Sequence, residues 1–198
     1  MTEKQQLDAE LTAILKHLPE WQLDPRYNDH CWCAVLMDGN GRGIHVNATQ
    51  AKGRLYLSGC WPTDSENRVH GPDKHLHITV ARNRPPEKIA TEIQRRFLPW
   101  YLAEYAKQTE HVKECNDRRD QQQELTANLA ALLGPEASRR LQSNRDRNQT
   151  PNRIYANGIT VDVHSNGDVS IEIRYTTVKI AKALLKAYAK AVGSAIGD

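Results

Sequence analysis

The chain has 198 residues, and its 27 lysines and arginines against 24 aspartates and glutamates give a formal net charge of +3 at neutral pH. Hydrophobic residues make up 39% of the sequence. This length and composition are typical of one large domain, or of one domain with an appendage, and they exclude a wholly disordered chain. A net charge this small does not by itself indicate a nucleic-acid partner.

The sequence contains neither a membrane-span pattern nor a signal-peptide pattern. No apolar run approaches the roughly 18 residues that a spanning helix needs, and the polar first residues lead directly into an amphipathic pattern. The cysteines Cys31, Cys33, Cys60 and Cys115 are spaced irregularly, which is not the pattern of a disulfide framework. We therefore expect a cytoplasmic protein with reduced thiols, no membrane partner and no cofactor.

The first predicted helix spans residues 2–18. Thr2 and Gln5 form a capping-box pattern, leucines and isoleucines recur at helical spacing, and Pro19 ends the helix. Four strands are predicted next, because apolar residues either alternate with polar ones or run continuously between turn signals. These strands cover residues 31–37, 43–48, 54–60 and 75–81.

A long helical pattern follows over residues 86–133. Its first part has an apolar face in which Pro99 should cause a kink, whereas residues 107–124 are polar on all sides. An unbroken helix of this length would measure roughly 70 Å at 1.5 Å per residue. The segment is therefore expected either to project as an arm or to fold back near Asn116 as a helical hairpin.

The C-terminal part is predicted to contain an arginine-rich loop over residues 136–153, a β-hairpin with strands over residues 153–164 and 167–175, and an amphipathic helix over residues 176–193. A lone hairpin is marginally stable, so we expect it to join the first four strands in one sheet. The apolar stripe of the last helix is expected to be buried; it consists of Ala181, Leu184, Leu185, Tyr188 and Val192.

These elements predict an α+β fold. We expect a mixed or antiparallel sheet of about six strands, with helices on one face and a long, partly projecting helical segment. Residues 1–198 would form a single domain. A helical arm and basic loop over residues 104–150 would be inserted between the strand-rich N-terminal part and the C-terminal hairpin and helix.

One short motif has a catalytic counterpart. His77 and Thr79 fit the His-x-Thr pattern of 2H phosphoesterases, in which two such histidines act as acid and base on a phosphodiester. The chemistry needs a second copy, and neither the Ser170–Glu172 segment nor His164 with its following residues provides one. We therefore predict that the protein is not an enzyme and keep a 2H-like phosphodiesterase as the third hypothesis.

A zinc site is a second chemical alternative. Cys31 and Cys33 would face one side of a strand, and Cys60 could join them together with His30, His70, His75 or His77. The Cys-x-Cys pair lacks the matching second pair that structural zinc sites usually show. Buried thiols are the favoured interpretation, and no metal is expected.

Two surfaces are candidates for binding. The exposed sheet face is predicted to be a solvated polar surface, because Tyr56 is its one evident stacking residue; it would contain His45, Tyr56, His75, His77, Thr79 and His164. The late basic region is suited to phosphate contacts. It consists of Arg139, Arg140, Arg145, Arg147, Arg153, Lys179, Lys182, Lys186 and Lys190.

Three segments carry a family resemblance: Gly-Arg-Leu-Tyr-Leu-Ser-Gly at 53–59, Ile-Thr-Val at 78–80 and Arg-Arg-Phe-Leu-Pro-Trp-Tyr at 95–101. Together they resemble small uncharacterised proteins of bacterial phages and mobile genetic elements, over roughly residues 40–105. The resemblance implies no catalytic residue. It implies a genetic setting in which small proteins bind DNA or inhibit host machinery.

Our leading hypothesis is a non-enzymatic binding protein of a phage or mobile element. It would act through protein–protein contacts, form a homodimer and modulate host machinery. The alternative is a nucleic-acid-binding accessory protein that uses the basic region between residues 139 and 190.

Overall fold

A computed structural model describes residues 2–27, 32–50, 52–147, 152–156, 158–174 and 177–192. Helices and antiparallel sheets along these residues confirm the predicted α+β class. The chain divides into two compact units, Met1–Asn116 and Asp117–Asp198. The sequence predicts one domain with residues 104–150 as an insertion, whereas the boundary between the two units falls inside that segment.

The first unit begins with helix α1, Glu3–Leu15, and the predicted capping box is confirmed. The Thr2 hydroxyl oxygen accepts a hydrogen bond from the Gln5 backbone N–H at 3.3 Å, and Gln5 Oε1 accepts one from the Thr2 N–H at 2.9 Å. These bonds satisfy two N–H groups that a helix start otherwise leaves without partners. The helix buries Leu7, Leu11 and Ile14 against the sheet.

The sheet of the first unit is an antiparallel meander in the order β1-β2-β3-β4-β5. Strand β1, which the sequence did not predict, has only three residues, too few to show an alternating pattern. Strand β5 is shorter than predicted, because its pairing with β4 begins at His77 and leaves His75 outside. The strands are β1 Trp21–Leu23, β2 Cys33–Asp38, β3 Gly43–Asn47, β4 Arg54–Cys60 and β5 His77–Ala81.

The long helical segment is continuous. The hairpin alternative, in which the chain folds back near Asn116, is therefore wrong. It consists of α2 (Pro86–Glu92), a π-helical turn (Ile93–Phe97) and α3 (Leu98–Leu133). Pro99 has no N–H to donate, and its ring would crowd the carbonyl four residues earlier in regular α-helix. The wider π turn directly before it accommodates the proline.

The core of the first unit lies between one face of the sheet and the helices. Tyr101 of α3 is fully buried there, and its single O–H is shared between the carbonyl oxygens of Gly43 (2.7 Å) and Cys60 (3.0 Å). A buried phenol needs such partners, and these fix α3 against two neighbouring strands. Burial raises the pKa of Tyr101 well above its ordinary value.

The second unit contains the end of α3, helix α4 and a separate three-stranded sheet in the order β6-β7-β8. The predicted union of all strands in one sheet is therefore wrong. The segment predicted as one strand forms two, β6 and β7, with Gly158 between them at a φ of +78°, so the hairpin gains a third strand of its own. The elements are α4 Pro135–Asp146, β6 Arg153–Ala156, β7 Ile159–Val163, β8 Val169–Ile173 and α5 Val178–Val192.

The predicted loop over residues 136–153 is also wrong for most of its length, because α4 extends to Asp146. Its first residue is Pro135, a favoured helix start. The second unit has its own hydrophobic core, and Ala137 and Leu141, four residues apart on α4, are buried there against Ile154. Two apolar positions are too few to show a period in the sequence, so the contact with the sheet explains this helix better than its own pattern does.

Candidate functional site

The second unit exposes large apolar side chains on β8 and on α5, which we name together the C-terminal apolar surface. Their exposed fractions range from 38% to 72%. The burial predicted for the last helix is therefore wrong at Leu184, Leu185 and Tyr188, while the side chain of Val192 lies outside the described residues. The surface consists of Val169 and Ile171 of β8 and Val178, Ile180, Leu184, Leu185 and Tyr188 of α5.

The sheet register shows where the apolar cover of the second unit ends. Val161 of β7 and Ile171 of β8 are cross-strand neighbours on the same face of the sheet. Val161 is 3% exposed and belongs to the core with Leu141, whereas Ile171 is 62% exposed. The apolar face of the sheet is thus covered over β6 and β7 and left open over β8.

The opposite face of α5 is basic. Its four lysines are spaced three or four residues apart and all are exposed, so they form one stripe along the helix away from the apolar residues. This stripe contains Lys179, Lys182, Lys186 and Lys190. Helix α5 therefore presents an apolar side and a cationic side, both open to contact.

The predicted arginines are engaged largely within the chain. Arg139 and Arg140 pair with Glu136 at 3.5 and 3.0 Å. Arg145 donates from Nη2 to the backbone carbonyl of Gln123 at 2.7 Å, so this guanidinium group joins α4 to α3. Arg145 is therefore a poorer candidate for phosphate binding than the exposed lysines of α5, while Arg139 and Arg140 remain exposed in surface ion pairs.

Arg153 and Arg147 complete the predicted basic region. Arg153 forms a bidentate ion pair with Asp162 on the neighbouring strand, and this hydrogen-bonded carboxylate raises its pKa. Arg147 is exposed at the end of α4. The structure therefore places the predicted arginines and lysines in one unit but gives them different surroundings.

The exposed sheet face brings together four of the six residues predicted for it. The register of β3, β4 and β5 aligns His45 with Ser58, and Tyr56 with Thr79. Tyr56 stacks on His77 with ring centroids 4.7 Å apart. Thr79 accepts a hydrogen bond on its hydroxyl oxygen from Arg54 Nε at 2.9 Å. A hydroxyl held in this way already has a partner within the protein.

The other two residues predicted for this face lie elsewhere. His75 precedes β5, and His164 belongs to the second unit, directly after β7. His164 Nε2 lies 2.8 Å from the Ser170 hydroxyl oxygen. His75 is excluded because β5 begins two residues after it, and His164 is excluded because its strand belongs to a second sheet.

In the first unit, the loop before β5 folds around the carboxylate of Asp64. Oδ1 accepts from the backbone N–H groups of Glu66 (2.9 Å) and Arg68 (3.0 Å), and Oδ2 accepts from Arg68 Nε (2.9 Å). His70 Nε2 lies 3.0 Å from the same Oδ2. The hydrogen bonds from His70 and Arg68 hold the pKa of Asp64 well below its usual range, so the group is ionised at neutral pH.

His70 lies beside two residues of α3. His111 and Cys115 are four residues apart and therefore share one face of the helix. Cys115 Sγ is 3.6 Å from His111 Nε2, and the ring centroids of His70 and His111 are 5.3 Å apart. One potential ligand atom from each of the three residues lies within 4.8 Å of the other two. These are residue types that bind transition metals.

The cysteines considered for zinc from the sequence do not come together in the same way. Cys33 pairs with Asn47 at one end of β3, and Cys60 pairs with Gly43 at the other end. Burial raises the pKa of the Cys60 thiol. Cys31 and His30 lie outside the described residues. Of the histidines considered, His70 does lie near a cysteine, but that cysteine is Cys115. The sequence signal for this cluster is the His-x-x-x-Cys spacing of His111 and Cys115.

Comparison with known proteins gives no further guidance. No family model matches the chain, and searches of curated proteins and of solved structures return no match. Among the described residues, no helix combines the length and the low polarity needed to cross a bilayer. Functional inference therefore rests on the surfaces and side-chain clusters themselves.

Proposed function

We propose that this protein is a non-enzymatic protein-binding protein that acts through its C-terminal apolar surface and forms a homodimer through it. The observation that carries the proposal is the exposure of Ile171 beside a buried cross-strand neighbour, together with the exposed apolar side of α5. Large apolar patches on a folded surface usually mark interaction sites.

The size of the surface fits a second copy of the chain. Its seven residues together expose on the order of several hundred Å² of largely apolar area, the scale of the ~800 Å² that each partner contributes to a standard interface. Both faces that need covering, on β8 and on α5, belong to the same chain. A twofold arrangement covers both at once in each copy, with no third component.

The dimensions of the two elements support helix-on-sheet packing between copies. Helix α5 has 15 residues, which gives about 22 Å at 1.5 Å per residue, and the five residues of β8 extend about 17 Å. The apolar side of α5 from one chain can therefore lie along the open side of β8 from the other. The lysine stripe would then face solvent.

One observation supports the absence of phosphodiesterase chemistry: the sequence has one His-x-Thr motif where that chemistry needs two. The resemblance to phage and mobile-element proteins supports a role in modulating host machinery, with the dimer as the acting form.

Light scattering after gel filtration tests the dimer. The wild-type chain should elute with twice the monomer mass at micromolar concentration. Leu185→Glu should elute as a monomer, because a carboxylate buried in an apolar interface weakens association more than a hundredfold, which is about 3 kcal/mol.

The matched control for this variant is Lys186→Glu, which makes the same new charge on the opposite side of α5. It should remain dimeric. A wild-type chain that is monomeric throughout, or a Leu185→Glu chain that dimerises as well as the wild type, would exclude the proposal.

A nucleic-acid-binding function is the second candidate, and the exposed lysine stripe of α5 is the observation that favours it. The stripe lies opposite the apolar side, so a dimer would leave it open to phosphates. Arg145 contributes less to this candidate, because its guanidinium group is bonded to the Gln123 backbone carbonyl.

A further inference from the structure

We propose that His70, His111 and Cys115 form a zinc site with three protein ligands. The site lies entirely within the first unit and does not depend on the proposed dimer. Nitrogen and sulfur donors of this kind suit Zn²⁺, which is borderline-soft and binds them in tetrahedral geometry.

The spacing of the donors agrees with that geometry. Zinc–nitrogen and zinc–sulfur bonds of about 2.0–2.1 and 2.3 Å at a tetrahedral angle place the two donor atoms about 3.6 Å apart. The observed distance between His111 Nε2 and Cys115 Sγ is 3.6 Å. One ring nitrogen of His70 lies within 4.8 Å of a ligand atom of each of the other two residues, so all three side chains are near enough to share one ion.

Asp64 has the position of an orienting carboxylate. Ligating histidines usually donate their second ring N–H to a carboxylate or carbonyl, which fixes the tautomer and the ring orientation. His70 Nε2 is 3.0 Å from Asp64 Oδ2, and a ring that donates from Nε2 carries its lone pair on Nδ1. Nδ1 is therefore the His70 atom that we assign as the ligand.

A comparison within the chain shows that the His70 contact is an addition to an otherwise complete turn. Asp38 folds the β2–β3 turn in the same way: Oδ1 accepts from the backbone N–H groups of Asn40 and Arg42, both at 2.9 Å, and Oδ2 accepts from Arg42 Nε. The Asp64 turn repeats each of these bonds. Of the two aspartates, Asp64 also has a histidine, His70, within hydrogen-bond distance of its carboxylate. Forming the turn does not require this contact with His70.

The two elements that carry the ligands are joined next to the site. The backbone N–H of Ser65 donates to Asn116 Oδ1 at 3.1 Å, which ties the loop to α3 one residue after Cys115. A bridge between Thr63 and Val69 closes the loop directly before His70. The ligands are thus held close together by the fold before a metal binds.

Three protein ligands leave one tetrahedral position, which we assign to water or a small anion. His70 and His111 also line an open cleft of about 790 Å³, together with Glu104 and Gln108 of α3. An exchangeable ligand can reach the metal through this cleft.

Calorimetric titration of the untagged, chelator-treated full chain with zinc chloride under reducing conditions tests the site. We expect one zinc ion per chain. His111→Ala and Cys115→Ser should each lower the affinity at least a hundredfold. The controls Cys33→Ser and His77→Ala change the same residue types elsewhere and should bind zinc like the wild type.

A second pair of variants tests the orienting carboxylate. Asp64→Asn should lower the zinc affinity 10- to 100-fold, as expected for an orienting residue, and Asp38→Asn should leave the zinc affinity unchanged.

Two measurements on the wild-type chain keep the test independent of variant folding. Cobalt in place of zinc should give a thiolate-to-metal charge-transfer band, and saturating zinc should protect Cys115, but not Cys33, from alkylation in a peptide map. The absence of zinc binding, or binding that leaves Cys115 as reactive as before, would overturn the proposal.

Discussion

Aspartate side chains determine the local structure of two turns of the first unit, one between β2 and β3 and one in the loop before β5. Asp38 and Asp64 each accept two backbone N–H groups and one arginine Nε, and each arginine lies four residues later. The residue before each arginine has positive φ: Gly41 at +78° and Asn67 at +61°. Glycine and asparagine tolerate this conformation best, so the Asp-x-x-(Gly/Asn)-Arg spacing has a direct physical basis.

Because the pKa of Asp64 is low in the folded chain, the free energy of unfolding of the first unit depends on pH. Its ordinary value is 3.8, and the folded chain holds it lower, so below about pH 5 the unfolded chain takes up a proton that the folded chain does not. The stabilisation is complete above that range and is lost as the pH falls towards the folded-state pKa.

Asp64→Asn should remove this dependence. Urea unfolding of both chains at pH 6, 4 and 3 should show the wild type more stable at pH 6 and the difference shrinking as the pH falls. A difference that stays constant across the three pH values would mean that Asp64 has an ordinary pKa in the folded chain.

Residue-level predictions from the sequence were accurate where the interaction is local. The Thr2–Gln5 capping box joins residues three apart, and the structure confirms it. The His70 cluster joins a loop residue to a helix about 40 residues later, so its assembly depends on the tertiary fold. From the sequence, only the spacing of His111 and Cys115 was visible.

Among the elements, helices were predicted best where their own pattern is long. Helix up to Leu133 follows from helix-forming composition, but its continuity past Asn116, with Pro99 accommodated by the π turn, comes from the structure. The α5 helix follows from its amphipathic period. The exposure of the apolar side of α5 could not be predicted in this way. Periodicity shows which side of a helix is apolar but not which element packs against that side.

The lysine stripe of α5 yields a direct comparison of the two candidate functions. The protein-binding proposal predicts weak binding to duplex DNA at about 150 mM salt, and little change when Lys179, Lys182, Lys186 and Lys190 are all replaced by Gln. Mobility shifts at several salt concentrations measure this. The nucleic-acid alternative predicts tight binding with a log–log salt slope near −3.6, the value for four phosphate contacts. If the wild type shows such binding and the variant loses it, the nucleic-acid alternative is established instead.

For the whole molecule, the fold class was predictable and the number of sheets was not. The sequence predicts a two-stranded hairpin that joins the first sheet, but Arg153–Ala156 forms a third strand, and Leu141 of α4 and Ala130 of α3 cover its apolar face. The second unit therefore has its own small core. That core covers two strands and leaves β8 and α5 open, which is the basis of the proposed dimer.

Photo-cross-linking between isotopically distinguishable chains tests that dimer most directly. An isotopically heavy chain with p-benzoylphenylalanine in place of Leu185 is mixed with an unlabelled light chain, irradiated and digested for mass spectrometry. The proposed packing predicts cross-links from the heavy α5 to the light β8, within Val169–Ile173. Cross-links confined to heavy peptides of the same chain, in a mixture shown to exchange subunits, would contradict it.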